Sequence, residues 1–451
     1  MTEAELRVAV PGGPGGGVTR SDVAIRDLGR CTYPSPVSSH LGDSAMVFVG
    51  AADKVLVNDQ LSQLPRDPEA LATLPAFELA GPRNRIFFDP SKTRAGIVTC
   101  GGLCPGLNNV IRGLVFELWF GYGVRRILGF RYGYEGLTTS GVNPLELTPE
   151  SVLEVHEKGG TMLGSSRGNQ DAEKMVDTLE ARGVNLLFVI GGDGTIRGAQ
   201  QVVAEIQKRG LHIGVVGVPK TIDNDIHFID RSFGFESAYS AAVDVIRAAR
   251  AEATGARDGI GLVKLMGRHS GFVACNAVLA SAGVDLVLVP EAPMALEGSE
   301  GVLSFVGRVL DRQGYATVVV AEGAGQDVLA AGGSDKSGNA KLGDVGIFLK
   351  DCINAHFKGI QREVTLKYID PSYTIRSVPA SPSDSVYCWN MARNAVHAAM
   401  AGNTEMLIGR WHGRFVHVPM ALATRGRKQV ELHEDLWMSV IEATGQPRIF
   451  Q

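Results

Sequence analysis

Cysteine is scarce in this chain, with six in 451 residues. Cys31, Cys100, Cys104, Cys275, Cys352 and Cys388 form no CxxC pair. That argues against a disulfide framework and predicts reduced, buried thiols in a cytoplasmic protein. Cys100 and Cys104 flank a glycine loop, but two thiols without further ligands make a poor zinc site. An excess of one charge is missing too. The net charge of −4 favours neither nucleic acid nor an anionic membrane. An anionic substrate must therefore be held by local cations. The first residues, MTEAELRV, have no basic start followed by an apolar run. Neither a signal peptide nor a membrane span is expected.

What is present is a large apolar fraction, 45%, and 56 glycines. A chain of this size usually divides into two or more lobes. Its patterning points to α/β construction. Residues 11–17, PGGPGGG, read as a flexible tail or hinge. Residues 18–92 carry no chemical motif, and read as an extension laid on the main body. DVAIRDLG and RNRIFFDP are its candidate strands. From Arg94 the pattern sharpens. AGIVTC is a short apolar strand, followed by a helical stretch NNVIRGLVFELWF. VNLLFVIGGDGT repeats the plan, with a helix expected over Ile196–Ile206. IGVVGVPKTIDND, IGLVKLMGRHSG, DLVLVPE and YATVVVAEGAG give four more strands. Strands alternating with helices predict a mostly parallel sheet covered on both faces. Ligands of such sheets sit at the carboxyl ends of strands. Residues 324–345 read as a polar surface loop.

Four motifs fall just past these strand ends. GGLCPGLN (101–108) offers backbone N–H groups and a helix N-terminus to a polyphosphate, although a plain tight turn explains it equally well. It lacks the GK[ST] ending of a Walker A loop. In GGDGT (191–195), Gly191, Gly192 and Gly194 let the backbone wrap phosphate, and Asp193 can hold Mg²⁺. Thr195 can cap the following helix. SSRGN (165–169) adds Arg167 as a cation for the donor, or as a surface loop arginine. PKTIDND (219–225) supplies a base for a hydroxyl, with Asp223 and Asp225 both candidates. As a strand continuation these two would share a face. Thr221 can bind a phosphate or hydroxyl, and Lys220 reads as a mobile cation. MGRHSG (266–271) offers Arg268 as a transition-state clamp, His269 as a hydrogen-bonding support and Met266 as an apolar contact for substrate. Glu322 ends a strong strand and can accept from sugar hydroxyls. KYIDPSYTIRS (367–377) places Lys367, Tyr373 and Arg376 in one polar loop able to grip a sugar phosphate.

These residues, in this order, resemble the 6-phosphofructokinases over roughly residues 84–450. FFDPSKTRAGIVTCGGLCPGLNNVIRG, RYGYEGL and KYIDPSYTIRS are most similar to the long, plant-like and trypanosomal ATP-dependent branch. The resemblance implies two Rossmann-like lobes with mostly parallel sheets plus an N-terminal extension. It places the extension at 1–92 and the core at 93–451. Within the core it implies a nucleotide lobe mainly over 93–234, a sugar-phosphate lobe mainly over 235–375, and a part 376–451 packing on both. The implied activity is transfer of the γ-phosphoryl of MgATP to the 1-hydroxyl of fructose 6-phosphate.

By the same resemblance Asp223 is the catalytic base, beside Thr221 and Ile222. Gly101, Arg167, Gly168, Gly192, Asp193, Gly194 and Thr195 belong to the ATP site, with Asp193 on Mg²⁺. Met266, Gly267 and Arg268 contact the sugar phosphate and the transition state, and Glu322 binds the sugar. Tyr373, Thr374, Ile375 and Arg376 hold the 6-phosphate end. The short bacterial pattern has Arg, His and Arg where this chain has Lys367, Tyr373 and Arg376. It also has an arginine, used by a neighbouring subunit, where this chain has Gly259. A homo-oligomer, dimer or tetramer, is implied. One alternative is a pyrophosphate-dependent enzyme of the same fold. Such enzymes tend to carry Asp where this chain has Gly194, while Lys220 is a feature they share. Lipid and NAD kinases also use GGDGT, but lack PKTIDND followed by MGR. A non-catalytic regulatory subunit would be expected to lose Asp193, Asp223 or Arg268, and all three are present.

Overall fold

The structure, a computed structural model, describes residue 8 and residues 17–37, 48–138, 142–168, 170–329 and 342–450. Most of PGGPGGG, Asn169 of SSRGN and the middle of the polar stretch 324–345 lie outside the described residues. The regular part begins with β1 (Arg94–Thr99) and α1 (Leu107–Phe116), then β2 (Arg126–Phe130) and β3 (Leu145–Glu146). Next come β4 (Leu186–Gly191), α2 (Asp193–Lys208), β5 (Gly214–Pro219) and α3 (Phe235–Thr254). Strand β6 (Gly259–Leu265), α4 (Phe272–Leu279), β7 (Leu286–Leu288) and β8 (Tyr315–Ala321) follow. The last elements used below are α5 (Val345–Gly359), β9 (Thr365–Ile369), α6 (Ser372–Ile375), α7 (Pro382–Met400), β10 (Met406–Trp411) and β11 (Arg414–Pro419).

The chain forms two compact units. The first takes the described residues up to Thr221, with Ile226–Phe233 and Pro379–Arg427. Ile222–Asp225, Gly234–Val378 and the described residues from Lys428 onward make the second.

In the first unit seven strands form a sheet in the order β11-β10-β5-β4-β1-β2-β3. The five from β10 to β2 run parallel, and the two edges, β11 and β3, are antiparallel. Every residue of β4 and β5 is buried, as expected for continuous apolar runs covered on both faces. The extension packs on this unit. Arg26–Asp27 pairs with Asn403–Thr404, and Leu79 bridges to Val416 on β11. Val18, Val23, Val57 and Phe77 enter the same core cluster as Val98, Leu187 and Val215. Its strands are two or three residues long, shorter than DVAIRDLG and RNRIFFDP predicted.

The second unit holds a four-stranded, wholly parallel sheet in the order β7-β8-β6-β9. Its side chains alternate between two cores. Val263, Leu265, Val319 and Ala321 pack with Ala242 and Ile246 of α3 and Val273 of α4. Ile260, Leu262, Val318 and Val320 pack with Leu349, Ile353 and Phe357 of α5.

Two expected elements move. The second helix starts at Asp193, not at Ile196, with Gly192 as its cap and no side-chain cap bond. Thr195 therefore lies inside the first turn, buried, and is not the cap. The third strand ends at Pro219, so TIDND does not continue it. Asn224 instead turns the chain with a φ of 55°.

The first unit also buries an ionisable pair. Tyr122 Oη lies 2.9 Å from His397 Nδ1 on α7. Burial, reinforced by Arg393, lowers the His397 pKa from 6.5 to about 3. The folded protein thus keeps this ring neutral while the unfolded chain protonates it below pH 6.5. Its contribution to stability is complete above that pH and is lost as pH falls toward the folded value. His397→Gln, which cannot titrate, should show a shallower loss of denaturant midpoint than the wild type between about pH 6.5 and pH 4. Equal slopes would contradict this role.

Candidate active site

In the first unit, sheet order decides which turns meet. Strands β1, β4 and β5 are neighbours and parallel, so their carboxyl ends lie side by side. After β1, Gly101 adopts φ 84°, a conformation that favours glycine. Its N–H donates to Ser166 O at 3.0 Å, and Ser165 Oγ donates back to Gly101 O at 2.6 Å. The glycine turn is thereby clasped to the SSRGN loop. The Arg167 guanidinium comes within 3.2 Å of where a Cβ on Gly102 would stand. Gly168, at φ 103°, continues the loop.

Lys220 joins the three strand ends. Its backbone N–H donates to Gly191 O at 2.9 Å, and its Nζ donates to Gly102 O at 2.8 Å. It is buried, so the mobile cation expected from sequence is instead a fixed strut. Gly192 is constrained in turn, because a Cβ there would stand 3.1 Å from Lys220 O. Gly194 faces open space, with nothing within 4 Å of a Cβ position. Asp193 opens α2, with its Oδ2 at 3.2 Å from Arg197 Nε and 3.9 Å from Arg427 Nη2. Neither arginine was singled out from sequence. Arg197 lies one helical turn after Asp193, which is the signal that would have found it.

Mg²⁺ fits these residues on one condition. Among the described residues, no three His, Cys, Asp or Glu side chains cluster as a metal cage. Asp193 is therefore a single carboxylate. Mg²⁺ commonly accepts that, taking its other oxygens from water and substrate phosphates.

In the second unit, Asp223 is gripped by the MGRHSG turn. The Arg268 backbone N–H donates to Asp223 Oδ2 at 3.4 Å, and Ser270 Oγ donates to Asp223 O at 2.9 Å. Gly267 makes that turn possible. It adopts φ 131°, and a Cβ there would meet Ser270 O at 2.5 Å. Met266 is half-buried and packs partly against the unit's own core. His269 accepts from Gln429 Nε2 through its carbonyl. Asp225 is buried and its carbonyl accepts from Lys428 N–H.

Glu322 follows β8, with N–H bonded to Leu265 O. Burial raises its pKa, and the charges of Arg268, Lys264 and Arg376 counter that. The structure thus brings Arg268, Glu322 and Arg376 into one electrostatic neighbourhood. Arg376 stacks on Tyr373, its Cζ 4.5 Å from the ring centroid. Tyr373 and Thr374 are exposed on α6, while Ile375 is fully buried. Ile222 is also buried, so neither isoleucine side chain is available to a substrate. Lys367 does not lie in the loop with Tyr373 and Arg376. It sits inside β9, paired in register with Gly261, on the face opposite Leu366 and Tyr368. Thr221 ends the first unit, its carbonyl accepting from Ser232 Oγ.

A phosphofructokinase family model matches residues 94–399. The ATP-dependent 6-phosphofructokinase of Amycolatopsis methanolica is 52% identical, over 95% of this chain and 96% of that protein. The ATP-dependent 6-phosphofructokinase of Trypanosoma brucei brucei is 44% identical, over 95% of this chain and 88% of its own. Among solved structures, a pyrophosphate-dependent phosphofructokinase from Nitrosospira multiformis matches with a TM-score of 0.66 and 21% identity. That match covers 80% of this chain and 93% of the other, and likeness at such identity is one of fold.

Gly259 opens β6 where no side chain fits. A Cβ there would stand 2.1 Å from Ala253 O, a backbone atom that cannot step aside. Arg257 is exposed nearby, and Asp258 is engaged by Arg362 at 2.7 Å. Gly259→Ala should cost about 1–3 kcal/mol of stability through overpacking. An unchanged denaturant midpoint would show that this backbone approach is not real.

Proposed function

The chain belongs to the phosphofructokinase family, and from that premise we propose that it is an ATP-dependent 6-phosphofructokinase. The proposed reaction transfers the γ-phosphoryl of ATP to the 1-hydroxyl of fructose 6-phosphate, giving fructose 1,6-bisphosphate. The observation that carries the reading is the Arg268 backbone N–H on the Asp223 carboxylate, which ties the candidate base to the MGRHSG turn that carries Arg268. Asp223 takes the proton of the attacking hydroxyl. Arg268 balances the charge that develops on the transferring group. Arg376, with Tyr373 stacked against it, holds the 6-phosphate, and Thr374 adds a neighbouring hydroxyl. Glu322 accepts from the sugar, and Lys367 supplies positive charge from the strand. Met266, Gly267, Ile222 and Ile375 serve by shaping the backbone around these groups.

ATP is held by the first unit's turns: Gly101, Arg167, Gly168 and the run from Gly192 to Thr195. Thr221 lies next along the chain from Lys220 and offers its hydroxyl to the phosphates. Asp193 would hold Mg²⁺, which when bound neutralises charge on the phosphates. The described residues contain no helix long and apolar enough to cross a membrane, and the six cysteines are free thiols. We place the enzyme in the cytoplasm, working as a homo-oligomer.

The donor choice rests on Gly194. Its open side leaves room for the α-phosphate and adenosine of ATP. Lys220, the feature shared with pyrophosphate users, is occupied as a strut on Gly102 O. Two like charges about 4 Å apart cost about 1 kcal/mol in water and about 4 kcal/mol at a dielectric of about 20. An aspartate at position 194 should therefore lower ATP-dependent kcat/KM by roughly 10- to 1000-fold. Purified protein should convert fructose 6-phosphate with Mg²⁺ and ATP and show little turnover with pyrophosphate. Gly194→Asp should lose most of the ATP reaction. Turnover by the wild type with pyrophosphate and none with ATP would overturn the donor assignment.

A further inference from the structure

Lys264 is out of place by composition. It is the one charged residue in β6, GIGLVKL, where every residue is buried. A lysine in such a strand needs a partner for its charge. It has two. Lys264 Nζ lies 3.0 Å from Asp344 Oδ2 and 2.9 Å from Asp370 Oδ2. Burial works against its charge, but these two carboxylates outweigh it and hold the ammonium protonated. The carboxylates themselves have less need of the lysine. Asp344 and Asp370 side chains are 41% and 35% exposed, open enough for water to solvate them. Pairs at that exposure add little stability. What the lysine fixes is position.

Each aspartate begins an element. Asp344 caps α5, accepting from Gly346 and Ile347 N–H at 3.1 Å. Asp370 Oδ1 accepts from Ser372 N–H at 3.0 Å and from Ser372 Oγ, fixing the start of α6. Four residues after Ser372, Arg376 caps the C-terminus of α6. One flank of this short helix is pinned by Ile375 in the core. The other is pinned through Ser372, Asp370 and Lys264. Without the lysine, two carboxylates that share one ammonium would repel each other, and Asp370 would swing from the turn it caps.

We propose that Lys264 is a positioning residue for the acceptor phosphate: through Asp370 it sets the helix that presents Tyr373 and Arg376. The inference rests on the reading of Arg376 as the 6-phosphate cation. Lys264 touches no reacting atom. Its loss should therefore appear in sugar-phosphate binding and leave ATP binding alone.

The test compares Lys264→Met, Asp370→Asn and the double variant with wild type, in steady-state kinetics, calorimetric binding of fructose 6-phosphate, and thermal melting. Each single variant should raise the fructose 6-phosphate KM and Kd by about tenfold, with the ATP KM within about twofold. The double variant should be no worse than either single one, because both cut the same link. A folded Lys264→Met with unchanged fructose 6-phosphate binding overturns the proposal, as does an equal rise for both substrates. Should Lys264→Met fail to fold, Asp370→Asn decides, since it leaves the buried lysine with Asp344: weakened sugar-phosphate binding supports the proposal and unchanged binding overturns it. A wild type that binds no fructose 6-phosphate overturns the functional reading and this inference together. Wild-type binding matched by the variants overturns the role of Lys264 alone.

Discussion

Neighbouring parallel strands with both faces buried can present polar groups to solvent only where they end. That constraint governs the chemistry here. Nothing polar interrupts β4 or β5, so the residues able to meet a phosphate gather at their carboxyl ends. Because β1, β4 and β5 are adjacent, GGLC, GGDGT and PKT converge without being close in sequence. The second unit repeats the arrangement with β6 and β8, whose ends supply Arg268 and Glu322. The proposed phosphoryl-transfer site is thus a consequence of strand order, with glycine used where backbone must turn sharply.

Two buried lysines hold these loops in place, in different ways. Lys220 satisfies a backbone carbonyl and ties one glycine turn to the next strand end. Lys264 satisfies two carboxylates and ties two helix starts to one strand. In both cases a charge is taken out of water for the geometry it imposes. The cations proposed to meet substrate, Arg167, Arg268, Lys367 and Arg376, are more open to solvent. All but Lys367 sit on loops whose backbones are fixed by other residues.

Much of this was legible in the sequence. VNLLFVIGG and YATVVVAEG announce buried strands, and the four motifs fall at the ends of β1, β4, β5 and β6 as expected. The strands of the extension were not legible in length, because two-residue ladders are set by the partner strand rather than by local pattern. The start of α2 was misplaced since Gly192 caps it without a side chain, leaving no capping signal to read. The run KYIDPSYTIRS reads as one polar loop that includes Lys367. Lys367 lies instead on β9, an edge strand, where an exposed lysine is ordinary. Ile222 and Ile375 sit inside chemically suggestive runs yet point into the protein. Lys264 was visible all along as a lysine in an apolar run, but its partners lie 80 and 106 positions away.

The central claim is that Asp223 acts on the proton of the acceptor and not on its binding. The most direct measurement is the affinity of Asp223→Ser for fructose 6-phosphate and for ATP, set beside its turnover. The account predicts a kcat at least about a hundredfold below wild type with both dissociation constants within about threefold. Near-normal turnover, or affinities that fall in step with it, would contradict that claim.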